Sequence, residues 1–119
     1  MCPMALEIQP RVVDEVVILD LAGRLWFLDG DLRDQMQKLL AEGRRFFVLN
    51  IANIDYIDST GLGQLISLWT SIRTRNGNLV LLRPTSRVRR LLTVTRLQVV
   101  FDVFDDEERA RIAVRRDWE

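Results

Sequence analysis

The segment Asp58-Ser59-Thr60-Gly61-Leu62-Gly63 is the one stretch whose residue types and spacing point to chemistry. It follows an apolar run and its loop and precedes an amphipathic helical pattern, which places Ser59 at or next to a helix N-cap. Two readings of Ser59 stay open on the residues alone. A serine there serves as a cap, its oxygen accepting one amide of the first turn and contributing about 1 kcal/mol. The same hydroxyl is also a good phosphorylation acceptor, because a phosphate would meet free amides and the positive end of the helix dipole. Gly61 and Gly63 leave the backbone open to approach.

A nucleophilic reading of Ser59 fails on inventory. The chain has no histidine, and its only lysine, Lys38, falls on the polar face of another helix, so no base is at hand. There is no GxxxxGK[ST] phosphate loop, which argues against nucleotide hydrolysis. Asp20, Asp55 and Asp58 are the acids nearest to forming a divalent-ion site, but acids near strand ends serve more often as turn or cap residues. No metal, no cofactor and no catalytic residue is expected, and the chain is read as a non-enzyme.

The elements that must position this segment follow from periodicity. Leu6 to Val13 and Val16 to Leu21, joined by Asp14-Glu15, read as a hairpin. Leu25-Trp26-Phe27-Leu28 reads as an apolar loop, followed by Asp29-Gly30-Asp31 as an N-cap signal and a helix with Leu32, Met36, Leu39 and Leu40 on one face, closed by Gly43. Phe46 to Ile51 reads as a buried strand, and Asn53 to Asp58 as a loop. The next helix places Leu62, Leu65, Ile66, Trp69 and Ile72 on its apolar face and ends at Asn76-Gly77-Asn78. Leu79 to Leu82 is a strand, Thr85-Ser86 caps a helix with Val88, Leu91 and Leu92 inward, and Val99-Val100-Phe101 is a final edge strand. Asp105 and Glu108 stand at capping-box spacing at the start of a last helix. The order β-β-α-β-α-β-α-β-α specifies an α/β fold with a mostly parallel sheet.

The chain has 119 residues, 48% of them apolar, enough for one globular domain and no more. Its 17 basic and 17 acidic residues cancel, yet residues 83–96 hold Arg83, Arg87, Arg89, Arg90 and Arg96 with no acid, while acids dominate residues 97–119. That balance argues against coating nucleic acid; the arginine segment reads as a solvated helix face or a docking surface for an acidic partner or lipid headgroups. The single Cys2 excludes an internal disulfide, and no apolar run is long enough to span a membrane, so the expected location is the cytoplasm.

With these residues in view, the chain resembles the STAS domain of the anti-sigma factor antagonist type over roughly residues 6–114. The resemblance rests on Ile57-Asp58-Ser59-Thr60-Gly61-Leu62-Gly63, supported by Gly77-x-Leu79-Val80-Leu81, Pro84-Thr85-Ser86, Val88-x-x-Leu91-Leu92, and Val100-Phe101 with Val103-Phe104. It implies a single STAS-type domain across residues 1–119, with a four- to five-stranded mixed sheet and about four helices. It also implies that Ser59 is phosphorylated by a GHKL-type serine kinase that is itself the anti-sigma factor. The unphosphorylated form binds this kinase and so frees a sigma factor, and a PP2C-type phosphatase restores it. The partner surface is expected to include Trp26, Asp58, Ser59, Thr60, Gly61 and Leu62. Three departures stand out. Trp26 replaces an acid before the first helix, Asn50 replaces the aspartate of the central strand, and Arg96 with Gln98 replace a glycine and an aspartate after the third helix. The resemblance puts the first two near Ser59. The competing reading is a STAS scaffold or transport accessory module in which the serine motif is only a cap. Trp69 is expected in the core, and Phe27 and Leu28 are expected tucked under the sheet edge.

Overall fold

Asp14 and Glu15 both take left-handed backbone angles, φ 50° and 70°, the conformation of a two-residue turn whose twist matches the strands it joins. The computed structural model describes residues 6–25 and 31–116. That turn joins β1 (Glu7–Val13) to β2 (Val16–Leu25), and the chain continues through α1 (Asp31–Ala41), β3 (Phe46–Ile57), α2 (Ser59–Thr74), β4 (Asn78–Leu82), α3 (Ser86–Val94), a 3-10 turn (Leu97–Val99), β5 (Val103–Phe104) and α4 (Glu107–Arg116). The strands lie in sequence order, β1 antiparallel to β2 and all other pairs parallel. This is the five-stranded mixed sheet and element order expected from the sequence.

Sequential order has a consequence for the helices. Right-handed crossovers that always step in one direction put every crossing helix on the same side of the sheet. The packing shows this: Val17, Leu19, Phe47, Leu49, Leu79 and Leu81 meet Leu32 and Met36 of α1, Leu65 and Ile72 of α2 and Val88 and Leu92 of α3 in the larger core. The alternate strand positions Val16, Ile18, Val48, Val80 and Leu82 form a smaller core with Ala110 and Val114 of α4. Both sheet edges are poor templates: β1 carries Pro10, which has no amide donor, and β5 has two residues.

Helices α1 and α2 end in the same way. The amides of Gly43 and Arg44 bond the carbonyls of Leu40 and Leu39, and those of Asn76 and Gly77 bond Arg73 and Ile72. In each case the residue just past the cap, Gly43 at φ 93° or Asn76 at φ 64°, is left-handed, as this ending requires.

Four expectations are corrected. The segment Asn53 to Asp58, read as a loop, is mostly strand, because β3 runs through to Ile57 with two irregularities against β2. Asp20 pairs with Asn50 but Ala22 with Asn53, and Gly23 with Ile54 but Arg24 with Tyr56, so β3 carries an extra residue each time. Val99-Val100-Phe101 is not a strand: the 3-10 turn ends at Val99, which is 81% exposed, and the edge strand comes at Val103–Phe104. The inward stripe of α2 includes Leu68 rather than Ile66, which is 36% exposed. At α4 the capping acid is Asp106, which accepts the Arg109 amide at 2.9 Å, and not Asp105, which pairs with Arg89 instead. The Asp29-Gly30 cap signal and the Phe27 and Leu28 expectations lie outside the described residues.

Candidate functional site

Strand β3 delivers the site. Its last residue, Ile57, is buried beside Leu25 at the end of β2. Asp58 then turns the chain with extended angles, φ −111° and ψ −176°, and its Oδ1 accepts the Gly61 amide at 2.7 Å. Asp58 is therefore the N-cap, and Ser59 is the first residue of the helix. The reading of Ser59 as the cap is corrected. Ser59 and Thr60 are exposed, and neither hydroxyl nor amide of the two has a partner among the described residues. An extended Asp at this position wins because its carboxylate reaches the third amide of the helix and its charge favours the positive dipole end.

The expected partner surface divides. Asp58, Ser59 and Thr60 face outward, whereas Gly61 and Leu62 are buried against the chain itself. A Cβ on Gly61 would collide with the Leu25 carbonyl oxygen, so this glycine lets α2 rest directly on the end of β2. Gly63 is different, with nothing within 4 Å of where its Cβ would stand. Trp26 lies outside the described residues. Beside the site, the Arg24 guanidinium sits 5.0 Å from the centre of the Tyr56 ring.

Asn50 does not belong to this surface. Its side chain lies on the α4 side of the sheet, where Nδ2 donates to Asp20 Oδ1 at 2.8 Å. Arg11 joins the same group, donating to Asp20 at 2.6 Å and to Glu107 at 2.7 Å. Its hydrogen bonds hold the carboxyls of Asp20 and Glu107 below their ordinary range, against the upward push of partial burial. Asp20, Asp55 and Asp58 form no metal cluster, nor does any other group among the described residues. Trp69 stands at the margin of the larger core, edge-on to Phe101 at 6.5 Å with the Arg73 guanidinium 5.6 Å from its ring centre.

The site is thus an α/β domain's exposed serine at the start of α2, with no hydrogen-bond partner for its hydroxyl among the described residues. The STAS domain family matches residues 7–110, and the chain belongs to that family. A Thermotoga maritima protein named as an anti-sigma factor antagonist is 29% identical over 108 residues, spanning 89% of this chain and 96% of that protein. The anti-sigma-B factor antagonist of Staphylococcus epidermidis is 30% identical over 78 residues, spanning 66% of this chain and 72% of that protein. A crystal structure of a Thermotoga maritima anti-sigma factor antagonist matches the fold with a TM-score of 0.82 at 27% identity, covering 91% of this chain and 94% of that one. Among the described residues no helix is long and apolar enough to cross a membrane.

Proposed function

We propose that the chain is an anti-sigma factor antagonist, a regulator without catalytic activity that works in the cytoplasm, and that Ser59 is its phosphorylation switch. With Ser59 unmodified, the chain binds an anti-sigma factor that is itself a GHKL-type serine kinase and so releases a sigma factor. Transfer of the γ-phosphoryl group of ATP to Ser59 Oγ ends that binding, and a PP2C-type phosphatase hydrolyses the ester to restore it. The outward residues Asp58, Ser59 and Thr60 form the contact, with Trp26 as its expected aromatic neighbour.

The observation that carries this reading is the division of labour at the helix start. Asp58 does the capping, so the Ser59 hydroxyl is exposed and free of any structural task, and its modification leaves the fold intact. The free amides of Ser59 and Thr60 can receive phosphate oxygens. About two negative charges then stand in the middle of the contact, beside the Asp58 carboxylate, and a loss of roughly 100-fold in affinity needs only about 3 kcal/mol.

The test is incubation with ATP and the cognate kinase, followed by mass spectrometry. Phosphate should appear on Ser59. Absence of phosphate, or phosphate on Thr60 with Ser59 untouched, overturns the switch. Ser59→Ala should keep kinase binding and Ser59→Asp should lose it; equal binding by both variants would favour the accessory-module reading.

A further inference from the structure

We propose that the end of the molecule opposite Ser59 docks on an anionic lipid surface, a reading independent of the switch. The strands run in sequence order, so the turns that precede β3 and β4 lie side by side at one end of the fold, about 4.8 Å apart. Helix α3, which follows β4 and runs back along the sheet, carries its C-terminal residues toward that end. These segments carry Arg44, Arg45, Arg75 and Arg96, which are exposed or half-exposed and make no ion pair among the described residues. The Asn78 amide bonds the Arg45 carbonyl at 2.9 Å, which ties the two turns together.

Arg96 is the telling member. It stands just past the end of α3 with φ 63°, a position that favours glycine, so the fold holds an arginine there at a cost. Arg83 is also left-handed, but its Nε donates to the Asp105 carbonyl at 3.0 Å and so serves the chain itself. The Arg96 side chain serves nothing described within the chain. Flanking it are Val94, 72% exposed, and Val99, 81% exposed, the most exposed large apolar residues among those described. Of the acids at this end, Asp14 is held by Arg111 at 3.4 Å. Glu15 lines the same recess as Arg44 and Arg45, and Glu42 stands two residues before Arg44, so these acids border the β3 end of the surface and not Arg75 or Arg96.

Guanidinium groups in a row beside projecting valines match a headgroup layer, which supplies phosphates to the arginines and yields around protruding apolar groups. A rigid protein partner would need preformed pockets for both valines. The same feature argues against nucleic acid, which offers the valines nothing.

The experiment is co-sedimentation of the full chain with vesicles of equal parts phosphatidylglycerol and phosphatidylcholine, against vesicles of phosphatidylcholine alone. Binding should occur only to the acidic vesicles and fall with salt. It should weaken about fivefold for each of Arg44→Gln, Arg45→Gln, Arg75→Gln and Arg96→Gln, and also for Val99→Asp. Arg96→Gly should bind more weakly while melting at a higher temperature, which separates lost docking from lost folding. Arg33→Gln, outside this end, should bind as the parent does. No binding to acidic vesicles at low salt, or undiminished binding by the quadruple arginine variant, overturns the proposal. So does salt-sensitive self-association or RNA binding that the same substitutions abolish while vesicles are ignored.

Discussion

Gly61 and Gly63, two positions apart in one helix, carry opposite constraints. Gly61→Ala drives a methyl into the Leu25 carbonyl and should cost about 3 kcal/mol, because backbone on both sides must move. Gly63→Ala meets open space and should raise stability by about 1 kcal/mol through helix propensity. Thermal or urea unfolding of the pair reads both signs. The same measurement separates the two candidates for the cap: Asp58→Ala should cost about 1 kcal/mol, and Ser59→Ala should stay within about 0.5 kcal/mol. The motif was legible as a loop-to-helix junction with an accessible hydroxyl. Which of two adjacent residues caps the helix was not, since that depends on backbone angles one residue apart. Nor was the need for Gly61, because the carbonyl it meets comes from a strand far away in sequence.

At the scale of elements, Arg11 fastens the edge strand β1 to the start of α4 through Asp20 and Glu107. Both carboxyls titrate lower in the folded chain than in the unfolded one, so their contribution is present above the ordinary carboxylate range and is lost as pH falls through it. Arg11→Gln should therefore be less stable than the parent at neutral pH, by about 1 kcal/mol for a half-exposed network. The gap between the two melting temperatures should close on acidification below about pH 4. Among the elements, helices with clean stripes and strands of unbroken apolar residues could be read from sequence. The second half of β3 could not, for a definite reason. Its core-facing residues Ile51, Ile54 and Ile57 are three apart, and only two extra residues in the register against β2 return each of them to the same side. Period-two reading fails wherever a strand bulges. The misplaced last strand has a similar origin. Val99-Val100-Phe101 has strand composition, but Phe101 alone is buried, and the left-handed Arg96 starts a tight turn that uses up the preceding residues.

For the whole molecule, the unequal layers set the order in which it opens. Among the described residues, three helices cover one face of the sheet over the larger buried cluster, and α4 covers the other over a smaller one. Hydrogen exchange should find α4 opening at lower free energy than α2, and Val114→Ala should accelerate exchange in α4 while leaving α2 largely protected. Charge of both signs stands at each end of the sheet: Arg44 and Arg45 share the end where the parallel strands begin with Glu15 and Glu42, and Asp58 and Asp105 share the other with Arg24, Arg83 and Arg89. The sheet's borders bear on behaviour in a crowded solution. A strand edge with free amides invites further copies and ends in fibres, but here Pro10 interrupts one border and the other is two residues long. Among the described residues, neither border therefore offers a second copy a long row of free amides to pair with.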